Sequence, residues 1–165
     1  MASIEQWIEE SPKLAIEFID ELAQEFRLLL KMSDNTLVSI SEEIHLCKSH
    51  LKIMTFRYAL PFTIEVNQYC DDFTLPPAIL HTLIENSFTH NNFRKSELRF
   101  VVNITHKDGY IVLKLQSPTS AKATMLQKQE AFVDGTGTKY IKGRLTESYC
   151  TNWEFTVERD GKYWL

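Results

Sequence analysis

Leu98-Arg99-Phe100-Val101-Val102-Asn103-Ile104-Thr105-His106-Lys107-Asp108-Gly109-Tyr110-Ile111-Val112-Leu113-Lys114-Leu115-Gln116 is the stretch that decides the fold class. Leu98, Phe100, Val102 and Ile104 fall on one face of a strand, since side chains alternate with a period of two. Asp108-Gly109 is a strong signal for a two-residue hairpin turn, whose positive φ angles these residues tolerate. The chain therefore runs back along itself from Tyr110 to Gln116 as an antiparallel partner. A parallel, doubly wound sheet fits this pattern poorly.

Toward the N-terminus the same periodicity appears once more, in Phe62, Ile64 and Val66, before Asp71-Asp72 and Leu75-Pro76-Pro77 interrupt it and start a helix that runs to about His90. Residues 1–58 read as two helices. Ser11-Pro12 is a start signal, and Leu14, Phe18, Leu22, Phe26 and Leu30 recur every fourth position as one apolar stripe. Ser33-Asp34-Asn35 ends that pattern. Ser39 and Glu42 then form an S-x-x-E capping box that opens a second helix, with Ile40, Ile44, Cys47, Leu51, Met54 and Tyr58 on one face. Toward the C-terminus, a polar stretch from Ser117 to Asp134 is long for a passive connection and reads as a candidate functional or mobile loop. Gly135-Thr136-Gly137 follows, then a short helix through Tyr149, an alternating strand with Trp153, Phe155 and Val157, and an Asp160-Gly161 turn into Tyr163-Trp164-Leu165. Helices first and mainly antiparallel strands afterwards predict an α+β two-layer sandwich preceded by a helical hairpin.

Composition narrows the function classes. The 165 residues are 44% hydrophobic, 24% charged and 12% aromatic, which predicts a packed core in one domain, or in one domain with a helical attachment. A formal charge of -4 removes the positive field on which a general nucleic-acid or anionic-membrane binder relies. Cys47, Cys70 and Cys150 are odd in number and form no CxxC pair, so a reducing cytosol fits best and neither a disulfide framework nor a zinc motif is suggested. No apolar run approaches the ~20 residues that cross a bilayer, as expected of a cytoplasmic protein or of the soluble end of a longer anchored receptor. His45, His50, His81, His90 and His106 make no HExxH or HxH pattern and read as solvated or helix-packing side chains.

Two segments could carry chemistry. On the helix ending at His90, Glu85, Asn86 and Thr89 share an arc of about 100° opposite Leu80, Leu83, Ile84 and Phe88. A carboxylate beside a carboxamide can hold a hydrated magnesium ion, although any amphipathic helix also has a polar face. Gly135-Thr136-Gly137 before a helix can turn backbone amides toward an anion, or can be an ordinary flexible loop.

Taken in order, these pieces resemble the sensor histidine kinases of the autolysis-sensor type, whose catalytic part belongs to the GHKL superfamily of ATPases. Ser11-Pro12-Lys13 through Leu30 resembles the second dimerisation helix. Val38-Ser39-Ile40-Ser41-Glu42-Glu43-Ile44 with His50-Leu51-Lys52-Ile53 and Phe56-Arg57-Tyr58 resembles the linker helix and its "YLxIxxxRF" ending. Leu75 through His90 is similar to the N box "PPxxLxxLVENAxKH", and Gly135-x-Gly137 with Arg144-Leu145 keeps the spacing of "GxGLxNxxxRL". The resemblance implies a Bergerat-type fold, with dimerisation and linker helices in residues 1–58 and an ATP-binding domain in 59–165. It implies ATP and Mg2+ as cofactors, Asn86 as the magnesium ligand, Glu85 as the catalytic residue that positions or deprotonates, and Gly135 and Gly137 as a phosphate cradle. Thr89, His90, Ser117 and Thr138 occupy the remaining nucleotide-contacting positions, and a lid would span Ser117 to Asp134. The partners implied are a second copy through the N-terminal helices and a response regulator.

The departures are specific. The family's phosphoacceptor segment, "NPHFLFN", lies upstream of the Ser11 helix and is not within these residues. The "DNG" aspartate that accepts from the adenine amino group is replaced in Ser117-Pro118-Thr119. Losing a charge-assisted bond there costs about 1.5 to 3 kcal/mol, roughly one to two decades of affinity. The N-box lysine is Thr89, and the leucine and asparagine of the glycine box are Thr138 and Tyr140. The resemblance thus leaves three readings: a histidine kinase catalytic region, a degenerate kinase domain acting as a dimerisation or response-regulator docking module, and an anti-sigma-type serine kinase. The Phe56-Arg57-Tyr58 helix ending and the paired prolines speak against the last.

Overall fold

The computed structural model describes residues 8–9, 11–67, 73–90, 93, 98–118, 135–157, 159–160 and 163–164. Helix α1 spans Pro12–Ser33, and its first turn forms on the Ser11 carbonyl, which accepts from the amides of Leu14 and Ala15. Helix α2 spans Ile40–Tyr58 and opens with the expected capping box: the Glu42 amide donates to Ser39 Oγ at 3.2 Å, and the Ser39 amide donates to Glu42 Oε2 at 3.1 Å. It ends at Ala59, whose φ of 52° turns the chain out of the helix. The two helices run antiparallel. Phe18 meets Phe56 edge-on with ring centroids 6.0 Å apart, Glu21 pairs with Lys52 at 2.8 Å, and Glu42 pairs with Lys31 at 3.3 Å.

The strands are β1 (Val38–Ser39), β2 (Phe62–Val66), β3 (Thr74–Leu75), β4 (Leu98–Lys107), β5 (Tyr110–Pro118), β6 (Arg159–Asp160) and β7 (Tyr163–Trp164), and two further helices are α3 (Ile79–His90) and α4 (Thr136–Tyr149). β1 and β3 form a small antiparallel ladder. The main sheet has the order β2-β4-β5-β7-β6. The β4–β5 hairpin is in the expected register, with Lys107 opposite Tyr110 across Asp108 and Gly109, whose φ angles are 51° and 82°. The pairing of β2 with β4 is parallel, Phe62 opposite Leu98 and Val66 opposite Val102, so the sheet is mixed and mainly antiparallel, as in the Bergerat-type fold that the resemblance implies.

The predicted inward faces pack together. Ile40, Ile44, Cys47, Leu51 and Met54 of α2 meet Leu80, Ile84 and Phe88 of α3, Ile141 of α4, and the buried row Leu98, Phe100, Val102 and Ile104 of β4 in one core. Each such large side chain contributes about 1.5–3 kcal/mol by leaving water. Phe62, Phe88 and Phe93 interlock edge-on at 4.8 to 5.4 Å between ring centroids, and they fix the C-terminal end of α3 over β2.

Two expectations need correction. The stripe Leu14, Phe18, Leu22, Phe26, Leu30 is not one face: Phe18 and Leu22 are half-buried, whereas Leu14, Phe26 and Leu30 are exposed. A strict spacing of four advances about 40° per step beyond a full turn, so it winds nearly halfway around the helix over this length. The inward line is Ala15, Phe18, Leu22, Glu25, Leu29 and Met32, in alternating steps of three and four. The second correction is residues 153–157, which form no strand although burial alternates along them; Phe155 lies on the core without a ladder partner. Among the described residues, no helix is long and apolar enough to cross a membrane. Cys47 is a buried free thiol and Cys150 an exposed one; Cys70 lies outside the described residues.

Candidate functional site

Helix α3 carries the polar arc, and its position is set from α2. Ile79 opens α3, and the Glu43 carboxylate accepts from the Ala78 amide and, at 2.8 Å, from the Leu80 amide. Glu43 is fully buried, and burial pushes its carboxyl up to about 7 despite the hydrogen bonds from Ala78 and Leu80 that favour the ionised form. A negative group at a helix N-terminus satisfies two otherwise orphaned amides and complements the helix dipole.

On the far side α3 packs against α4. There the two segments singled out in the sequence meet. A Cβ built on Gly137 would lie 2.7 Å from Asn86 Oδ1 and 2.8 Å from Asn86 Nδ2, so the carboxamide rests directly on the glycine backbone. Only a residue without a side chain admits that approach. Gly135 is the N-cap of α4, exposed and with no side-chain cap, so amides of the first turn of α4 are left without an intrahelical partner close to Asn86.

The other predicted site residues are distributed as follows. Glu85 is exposed on the outer side of α3, and Thr89 is exposed with its hydroxyl donating to the Glu85 carbonyl at 3.3 Å. His90 is the last residue of α3, and its side chain lies outside the described residues. Ser117 is buried near the end of β5, in register with Trp164. Thr138 is buried with Ile141 on the inner side of α4. The predicted lid lies outside the described residues from 119 to 134, and its first two positions, Ser117 and Pro118, belong to β5. Tyr140 donates its hydroxyl to the Pro77 carbonyl at 3.1 Å, tying α4 to the entry of α3. Asn86 and Gly137 are therefore in contact, and Thr138 turns inward.

Sequence reasoning missed a second polar group of three. Glu25 of α1, His50 of α2 and His81 of α3 are all buried and share hydrogen bonds. The histidines do pack between helices as expected, but around a charge. A glutamate standing on the inward heptad line of α1 was the available signal.

A histidine kinase family model matches residues 1–62, the segment that holds α1 and α2. Over 98 residues, 58% of this chain, the sequence is 31% identical to a protein of Oceanobacillus iheyensis named Sensor protein LytS, of which the match covers 17%. A protein of the same name from Staphylococcus epidermidis is 28% identical over 99 residues, again 58% of this chain and 17% of the relative. The chain thus matches about a sixth of the length of these relatives.

Proposed function

We propose that this chain, which resembles the sensor histidine kinases of the LytS type, is the nucleotide-binding region of such a kinase together with an adjoining dimerisation helix. On this reading residues 1–58 supply dimerisation and linker helices, and residues 59–165 form a GHKL-type domain for phosphoryl transfer from ATP to a histidine outside these residues. The observation that carries it is the contact of Asn86 with Gly137. It puts an amide oxygen suited to magnesium beside the uncapped N-terminus of α4, which is suited to phosphate. Asn86 would hold Mg2+ through Oδ1, the amides of α4 would face the phosphates, and exposed Glu85 would orient or deprotonate the acceptor. Magnesium supplies charge neutralisation of the phosphates when bound, and the protein's own part is positioning.

The outer side of α1 supports a dimer. Ile16, Ile19, Phe26 and Leu30 are exposed by 48% to 69%, and with Ala23 they follow steps of three and four within an arc of about 80°. That is a coiled-coil seam without a partner among the described residues, and a second copy is its proposed occupant. A response regulator is the proposed downstream partner.

A second reading has its own support. Ser117, standing where the family's adenine-binding aspartate belongs, is buried, and Tyr140 is bonded across from α4 to Pro77. These features favour a degenerate kinase domain acting as a dimeric docking module. Titration with magnesium-ATP by calorimetry separates the two: saturable heat that disappears in Asn86→Ala supports the catalytic reading, and no heat up to millimolar ATP with a folded protein supports the docking module.

A further inference from the structure

One oxygen of Glu25, Oε1, lies 2.8 Å from His50 Nδ1 and 2.8 Å from His81 Nε2. The three side chains come from three different helices, α1, α2 and α3, and are only 10%, 6% and 11% exposed. Their potential ligand atoms all lie within 4.8 Å of one another. The two imidazoles face each other edge-on with ring centroids 4.6 Å apart, and Phe88 closes one side of His50 at 5.8 Å.

We propose that Glu25, His50 and His81 form a zinc site that staples α1 to α2 and α3. Two imidazole nitrogens and one carboxylate oxygen are a borderline donor set, suited to zinc and poorly suited to magnesium or calcium, which take oxygen ligands. Zinc bonds of about 2.0–2.1 Å place tetrahedral ligand atoms about 3.3 Å apart. The Glu25 oxygen therefore has to retreat from each nitrogen by about half an ångström, and ligand atoms spread over as much as 4.8 Å have to close to that spacing, movements that side-chain torsions supply. The fourth position is open to the second Glu25 oxygen or to a water molecule. The carboxylate is already in its ligand form: burial would raise its pKa, but hydrogen bonds from His50 and His81 outweigh burial and hold it at about 2.

The proton inventory sets the affinity. An ionised carboxylate only accepts, so both imidazoles now donate an N–H to Glu25. Zinc needs a lone pair at those same nitrogens, and the proton moves to the other ring nitrogen. In His50 that nitrogen is Nε2, which is buried without a partner among the described residues. An unpaired buried N–H opposes binding, so the site is expected to bind zinc less tightly than a fully supported structural site. The site is independent of the nucleotide reading, although His81 stands one turn before Glu85 on α3, so occupancy would fix the root of the N-box helix to α1.

The test uses the chelator-stripped 165-residue chain and Zn2+ alone. Calorimetry and metal analysis are expected to give one zinc per chain with micromolar affinity, together with a rise of several degrees in Tm. His81→Gln, which can still hydrogen-bond to Glu25, is expected to weaken binding at least a hundredfold while circular dichroism stays unchanged. No saturable binding below about 100 µM Zn2+ in the folded native chain overturns the proposal, and so does binding that survives His81→Gln. Where that variant fails to fold, Co2+ in the native chain decides. Intense visible absorption of a four-coordinate ion supports the site, and the pale spectrum of an octahedral ion overturns it.

Discussion

The inner and outer lines of α1 are both largely apolar, and they differ in what they meet. Its inner line buries a carboxylate, Glu25, between two histidines, while its outer line leaves Ile16, Ile19, Phe26 and Leu30 in solvent. A helix packed by hydrophobicity alone would bury the exposed set as well and would keep the Glu25 carboxylate in water. The contrast teaches that one position of the inner face, Glu25, is held by specific polar geometry, while the outer face is apolar surface that a second copy would cover on the dimer reading. The two should therefore respond to different perturbations: the inner one governs stability and the outer one association.

The largest effect is expected inside. In the presence of chelator, Glu25→Ala strands two buried imidazoles without their acceptor and should lower unfolding free energy by about 3–5 kcal/mol in urea titrations, whereas replacing all three members by apolar residues of similar volume should recover most of that loss. If both variants lose equally, the triad matters through packing and the contrast fails. Next comes the outer face. Phe26→Glu with Leu30→Glu should weaken self-association a hundredfold or more, seen by light scattering, and leave Tm nearly unchanged. A native chain that is monomeric at high concentration would break this half of the comparison.

Smaller changes sharpen it. Gly137→Ala displaces the Asn86 carboxamide and should reduce magnesium-nucleotide affinity about tenfold, read by calorimetry, with little effect on stability or dimerisation. Acid titration should be gradual and two-sided, because the two buried carboxylates shift in opposite directions. Glu25 is held at about 2 against an ordinary 4.5, so between those values the unfolded chain binds more protons. Stability from Glu25 is therefore complete above about pH 4.5 and is lost as pH falls toward 2. Glu43 is raised to about 7, so the folded chain binds more protons between 4.5 and 7, and stability from that group falls as pH rises through this window. Glu43→Gln should flatten the upper slope and leave the lower one intact in a pH series of unfolding midpoints.

Much of the fold was legible because it is written in short-range signals. Alternation along Leu98–Ile104, the Asp108-Gly109 turn and the Ser39/Glu42 box are local, and each appears where the periodicity puts it. The contact between Asn86 and Gly137 was readable only through the resemblance, since nothing local in either segment points to the other. What stayed hidden was relational. Glu43 caps a helix 36 residues away from itself, as Ile79 shows, and His50 meets Glu25 and His81 across three helices; no window of sequence carries such pairings. The stripe on α1 misled for a different reason: a strict spacing of four winds around the helix, so Leu14, Phe26 and Leu30 fall off the inward line.

The parallel pairing of Phe62–Val66 with Leu98–Val102 also has a kinetic consequence. The β4–β5 hairpin can zip from its own turn, but β2 reaches its neighbour only after the intervening segment, with α3 inside it, has looped back. Loop closure over that separation comes late and slowly in chains rich in distant pairings. The helix that bears Asn86 is thus expected to be seated late in folding, and substitutions at Phe62, Phe88 or Phe100 should slow refolding more than equal losses of stability within the hairpin tip, as stopped-flow refolding would show.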